Sequence, residues 1–149
     1  MARPSKQSGS KGHRHNSRLY RSGLEERTAK QLEDLGVSYE FETLVIPYQV
    51  PASSHRYTPD FVITTKSGKV IIVETKGIWD AKDRAKHLLI REQHPELDIR
   101  FVFDRSKSKI SKNSQTTYAD VCEGRARGKY KGVTWKYADK RIPEEWLSE

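Results

Sequence analysis

The stretch Tyr57-Thr58-Pro59-Asp60-Phe61-Val62-Ile63-Thr64-Thr65-Lys66-Ser67-Gly68-Lys69-Val70-Ile71-Ile72-Val73-Glu74-Thr75-Lys76-Gly77 decides how the chain folds. Two apolar runs flank Lys66-Ser67-Gly68, a three-residue loop whose glycine suits the left-handed position of a hairpin. The reading is a hairpin with strands over 60–65 and 69–76. Thr65 then faces Lys69, and counting outward in register brings Asp60 opposite Glu74. Side chains alternate along a strand, so Glu74 and Lys76 project together and Thr75 points away. Two carboxylates and an ammonium converge at one end of the hairpin.

The flanking sequence supplies the partners. Upstream, Ser22-Gly23-Leu24-Glu25 matches a capping box; Leu24, Thr28, Leu32 and Leu35 recur at helical spacing, and Gly36 offers a stop. Val37, Tyr39 and Phe41 alternate with Ser38, Glu40 and Glu42 as in a half-buried strand. Residues 44–50 extend it, broken by Pro47, and Pro51-Ala52-Ser53-Ser54 interrupts the chain with no evident hairpin signal. Downstream, Asp80 caps a helix over 81–93 with Ala85, Leu88 and Leu89 facing inward, and His94-Pro95 ends it. A buried strand over 99–103 follows, then the charged loop Arg105, Lys107, Lys109 and Lys112. Thr117 and Asp120 pair as a cap for a helix over 117–126. A short strand over 133–137 and a turn opened by Pro143 complete a single domain over 19–149. Residues 1–18 are basic and poor in apolar side chains, so they read as a flexible arm.

Composition sets the partner class. A formal charge of +8 and 32% charged residues favour a polyanion without specifying an activity. The longest aliphatic run, Val70-Ile71-Ile72-Val73, is far below the roughly 20 residues a membrane span requires, so no membrane association is expected. The basic start lacks the apolar segment of a secretory signal. One cysteine, Cys122, excludes an intrachain disulfide and a cysteine-built zinc site. A reducing cytoplasm fits this usage.

Directly opposed carboxylates repel, and a bound divalent cation removes that cost. Asp60 and Glu74 offer hard oxygens to such an ion, and the backbone carbonyl of Thr75 is placed to add another. Two ions roughly 3.5–4 Å apart can activate water and stabilise both oxygens in phosphodiester hydrolysis. Lys76 is suited to orient the attacking water and offset phosphate charge. A Pro-Asp pair alone or a Glu-x-Lys alone is common on turns and solvated strands; their opposition on one short hairpin is far more specific.

Pro59-Asp60 followed by Glu74-Thr75-Lys76 resembles the PD-(D/E)xK nuclease superfamily. Arg21-Ser22-Gly23-Leu24-Glu25, Tyr57-Thr58-Pro59-Asp60-Phe61, Glu74-Thr75-Lys76-Gly77 and His87-Leu88-Leu89-Ile90-Arg91-Glu92-Gln93-His94-Pro95-Glu96-Leu97-Asp98-Ile99-Arg100 together are similar to the bacteriophage endonuclease I family. The resemblance implies a restriction-endonuclease-like α/β fold, a mixed central sheet flanked by helices, in an intertwined homodimer that exchanges elements. It implies a four-way (Holliday) junction as substrate, Mg²⁺ or Mn²⁺ as cofactor with two ions per site, no organic cofactor, and the cytoplasm of a phage-infected host. Residues 47–59 match the bridge between the two halves. Glu25, from one subunit, matches a catalytic and metal-binding glutamate; Asp60, Glu74 and Lys76 match the set from the other. Glu40 falls on a further acidic position.

Each assignment has a plainer rival. Glu25 completes a capping box with Ser22, and Glu40 suits an exposed strand. His87 and His94 read as surface or packing residues, and Trp79, Trp135 and Trp146 as core or interface anchors. Arg14, Arg18, Arg21, Lys82, Arg84, Lys86, Arg105, Lys107 and Lys109 are assigned to DNA phosphates, although a charge run is usually a solvated face. The rivals to a junction-resolving enzyme are a restriction- or repair-type nuclease and a non-catalytic basic DNA-binding protein.

Overall fold

The computed structural model describes residues 20–50 and 52–149. The arm over 1–18, with Arg14 and Arg18, lies outside the described residues. Elements run α1 (Gly23–Asp34), β1 (Tyr39–Phe41), β2 (Ile46–Val50), β3 (Ser53–Tyr57), β4 (Phe61–Thr64), β5 (Val70–Lys76), α2 (Ala81–Gln93), β6 (Ile99–Phe103), α3 (Tyr118–Cys122), β7 (Tyr137–Asp139) and α4 (Glu144–Ser148).

Five strands form a mixed sheet in the order β1-β4-β5-β6-β7. The 57–77 hairpin takes the register expected of it, with Phe61 opposite Val73 and Thr64 opposite Val70. Its loop is closed by Thr65 N–H to the Lys69 carbonyl (2.8 Å) and Gly68 N–H to the Thr65 carbonyl (2.9 Å). Gly68 has φ +87°, the conformation for which glycine alone has no steric cost. From β5 the chain crosses through α2 to β6, which pairs parallel to it, and β7 joins parallel to β6.

Alternation along β5 divides the core between two faces. Ile71 and Val73 pack with Leu24, Ala29 and Leu32 of α1 and Leu147 of α4. Ile72 packs with Leu88 and Ile90 of α2, Tyr118 and Val121 of α3, Trp79 and Trp135. Trp79 and Trp135 thus act as core anchors. At about 1.5–3 kcal/mol for each large apolar side chain buried, these two layers fix the sheet against the helices on either side.

Several expectations are corrected. Residues 46–57 close as an antiparallel hairpin, Val50 opposite Ser53, where no hairpin had been evident. Its turn holds Ala52 at φ +73°, so alanine occupies a place that sequence reasoning reserves for glycine or asparagine. The first strand is only 39–41, and the helix after Thr117 stops at Cys122 because the chain turns at Gly124, φ +74°. The last strand lies at 137–139, and Thr134 makes only an isolated bridge to Glu123. On α2, Leu88 is buried as expected and Leu89 packs against the core, but the buried face also takes in Arg84, His87 and Ile90, and Ala85 is only half-buried. That helix packs between the sheet and the loop carrying Ile110, which turns the Arg84 side of the helix inward.

Candidate active site

Glu74 is buried near the C-terminal end of β5. Its Oε2 accepts from the Tyr57 hydroxyl (2.6 Å) and from the Asp60 N–H (3.2 Å). Oε1 lies 3.3 Å from the Lys76 ammonium. Burial, and then the charge of Asp60, push the Glu74 carboxyl up from its ordinary value to about 7, against the opposing pull of Lys76. Lys76 has a second anchor, Asp83 Oδ2 at 2.7 Å on the first turn of α2. Burial alone would lower its pKa, but Glu74 and Asp83 together hold it above the ordinary lysine value. It is a fixed cation.

Asp60, also buried, is held by Thr75. Its Oδ2 accepts from Thr75 N–H (2.9 Å) and Thr75 Oγ1–H (2.8 Å). The Thr75 side chain points away from Glu74 and Lys76, as strand alternation predicts, and there meets Asp60 at the head of β4. Burial raises the Asp60 pKa more than these hydrogen bonds lower it.

Glu25 keeps half of the expected capping box. Ser22 Oγ accepts from Glu25 N–H (3.1 Å), as an N-cap should, while Glu25 Oε2 accepts from Arg21 N–H (2.8 Å) rather than from Ser22. The carboxylate also reaches Asp60: Glu25, Glu42 and Asp60 each offer an oxygen within 4.8 Å of the others. Burial raises the Glu25 pKa, and the Asp60 charge adds to it. Single-chain folding therefore brings the α1 glutamate to the hairpin.

Glu42, absent from the sequence-based set, stands beside Glu25 and Asp60. Glu40 is exposed on β1, opposite Val62, and is not in the acidic trio. At Glu42, itself exposed, the backbone has φ +52° and its N–H bonds to the Asp60 carbonyl (3.0 Å), and its carboxylate lies beside those of Glu25 and Asp60. Alternation puts Glu40 and Glu42 on one face, a signal that could have raised both; the left-handed residue that separates them is not legible in sequence. Glu42 is ion-paired with Arg21.

The basic assignments divide. Lys82, Arg105, Lys107 and Lys109 are exposed, and Lys86 lies over the Tyr57 ring, 5.0 Å from its centroid. Arg84 is a correction: it is buried and donates to the backbone carbonyls of Trp79 and Ile110, so it ties α2 to two loops and is not free for phosphate. Asp83 and Tyr57, also missed, contact Lys76 and Glu74 only through the third dimension.

The donor chemistry fits a hard divalent cation. Glu25, Glu42 and Asp60 supply carboxylate oxygens around one space, and burial, the main cause of the raised pKa values at Glu25, Asp60 and Glu74, sets a cost that a bound cation would offset. No described helix is long and apolar enough to cross a membrane.

Comparison with known proteins agrees. The profile of the family "Phage endonuclease I" matches residues 5–149. The chain is 52% identical over 130 residues to a protein of Escherichia phage T7 named Endonuclease I, covering 87% of this chain and 79% of that one. It is 49% identical over 132 residues to Endodeoxyribonuclease 1 of Enterobacteria phage T3, covering 89% and 79%. With a match across nearly its whole length and two relatives near half identity, the chain belongs to the phage endonuclease I family.

Proposed function

We propose that this protein is a divalent-metal-dependent DNA endonuclease that resolves four-way junctions. The observation that carries the reading is the pair of buried carboxylates, Asp60 and Glu74, at the end of one hairpin with Lys76 fixed beside them. A buried acid pair with raised pKa values is costly to keep unless it serves chemistry. The names of the two relatives support DNA as the substrate.

Asp60, Glu74 and Glu25 would hold Mg²⁺ or Mn²⁺, with the Thr75 carbonyl as a further oxygen and two ions in the full site. When bound, the metal supplies Lewis-acid stabilisation at phosphorus and an acidified water. Lys76, immobilised between Glu74 and Asp83, positions the attacking water and offsets phosphate charge. Thr75 keeps one Asp60 oxygen occupied, so the other faces the site. Exposed Lys82, Arg105, Lys107 and Lys109 contact the DNA backbone, reading branch shape with little base specificity.

The working form is an intertwined homodimer acting in the cytoplasm of an infected host. Support comes from the 46–57 hairpin. Its turn carries a non-glycine residue at φ +73°, and strained hinge turns favour exchange between copies. Opened out, residues 47–59 bridge two copies, and the Glu25 helix of each meets the other's hairpin with the same contacts. Two sites related by a two-fold axis match a branched substrate that has approximate two-fold symmetry.

The test is cleavage of an end-labelled four-way junction in Mg²⁺, beside a linear duplex of the same sequence, by wild type and Glu74→Ala. Paired nicks near the branch, made by wild type only while the variant still binds, are the expected result. Equal cutting of the duplex would favour a restriction- or repair-type enzyme. Binding without cutting in either Mg²⁺ or Mn²⁺ would leave a non-catalytic DNA-binding protein.

A further inference from the structure

Behind Glu74 and Lys76 lies a buried layer that touches no solvent. Tyr57, at the end of β3, is fully buried and gives its hydroxyl to Glu74 Oε2 at 2.6 Å. Its ring meets His87 edge to face at 5.2 Å, and His87 meets Phe101 at 4.9 Å. His87 is fully buried, and neither ring nitrogen has a hydrogen-bond partner. Its Nε2 is 3.7 Å from Asp83 Oδ1, whose other oxygen holds Lys76. The imidazole therefore fills the space between the residue that grips Glu74 and the residue that grips Lys76.

The two oxygens of Glu74 are treated differently. Oε2 receives both donors from the protein interior, the Tyr57 hydroxyl and the Asp60 N–H, while Oε1 faces the Lys76 ammonium. A carboxylate on three rotatable bonds would otherwise turn to share its oxygens. Among the described residues, Tyr57 is the one side-chain hydroxyl that pins it.

Resting on the nuclease reading above, we infer that Tyr57 is a positioning residue of the active site: its hydroxyl fixes Glu74 so that Oε1 is presented to Lys76 and to a bound cation. Partners that orient a ligating carboxylate govern both metal affinity and rate. Had Tyr57 only a packing role, its ring would suffice and the hydroxyl would be dispensable.

Tyr57→Phe removes that oxygen and keeps the ring against His87. Three readouts apply to the full-length chain: junction binding in Ca²⁺, single-turnover cleavage across a Mg²⁺ series, and calorimetric titration of Mn²⁺ into the DNA-free protein. The expected result is unchanged junction affinity, a cleavage rate lower by on the order of ten- to a hundredfold, and weaker Mn²⁺ binding. Rates and Mn²⁺ affinity equal to wild type would overturn the proposal. If wild type itself cuts nothing, the nuclease reading fails, and the Mn²⁺ titration still decides whether the hydroxyl organises Glu74. Should Tyr57→Phe not fold, a ring-fluorinated tyrosine at position 57 keeps the shape and alters the donor. A change in Mn²⁺ affinity at unchanged melting temperature then supports the role, and no change overturns it.

Discussion

At the scale of single residues, the site keeps its acids at a cost to stability. Glu74, with a folded pKa near 7 against an ordinary 4.5, holds a proton that the unfolded chain releases. The sign follows from linkage: its favourable contribution is fully present below pH about 4.5 and is lost as pH rises through about 7. Glu74→Gln removes this loss while keeping an acceptor for Tyr57. In chelator, the variant is expected to be more stable than wild type at pH 8, by on the order of 2 kcal/mol, with the gap closing at pH 5. Added Mg²⁺ should reverse the order by stabilising wild type more. Thermal denaturation at the two pH values reads this directly, and a variant less stable than wild type at pH 8 would show that Glu74 is not strained. The residues that sequence exposed, Asp60, Glu74 and Lys76, lie on a regular hairpin whose register can be counted. Those it concealed reach the site through irregular backbone or through packing: Glu42 by a left-handed turn, Tyr57 and Asp83 from the neighbouring elements β3 and α2. Arg84 was misread because a cation at the start of a helix following a catalytic strand resembles a phosphate contact, and only packing reveals the carbonyls it serves.

At the scale of elements, local signals succeeded where cap and period agree. The helix after Asp80 begins and ends as read, since its cap accepts from Asp83 N–H (2.8 Å) and His94-Pro95 stops it. The strand at 99–103 is buried throughout, its Arg100 included, because that guanidinium is ion-paired with Asp98 and Glu149. The 46–57 hairpin was illegible because its turn violates the residue preferences from which hairpins are recognised. That violation yields a prediction about assembly. Replacing Pro51→Asn and Ala52→Gly supplies the favoured residues for a tight two-residue turn, so the hairpin should close within its own chain. Light scattering on a sizing column is expected to show wild type as a dimer and the double variant shifted toward monomer. A variant as dimeric as wild type would mean that the turn does not govern exchange.

At the scale of the whole molecule, charge and the acidic site divide the work of handling DNA. The net charge of +8 draws a polyanion, while the Glu25, Glu42 and Asp60 trio, with Glu74 beside Asp60, repels it unless cations intervene. Binding should therefore be steeply salt-dependent, each neutralised phosphate contributing about 0.9 to the slope of log affinity against log salt. Lys107 and Lys109 are exposed on the loop after β6, whose base lies beside the site because Asp104 N–H bonds to the Lys76 carbonyl (3.0 Å). Lys107→Ala with Lys109→Ala should lower that slope by roughly one to two for junction and duplex alike, leaving the cleavage rate at saturation intact. Arg84→Ala should behave oppositely, lowering the melting temperature because it strips buried carbonyls of their donor, with the slope unchanged in the folded fraction. Measuring junction affinity across a salt series for the three proteins separates the surface that gathers DNA from the framework that holds the site. If Arg84→Ala alone flattened the slope, the DNA would enter between α2 and the loop around Ile110, and the basic surface on the β6 side would be only solvated charge.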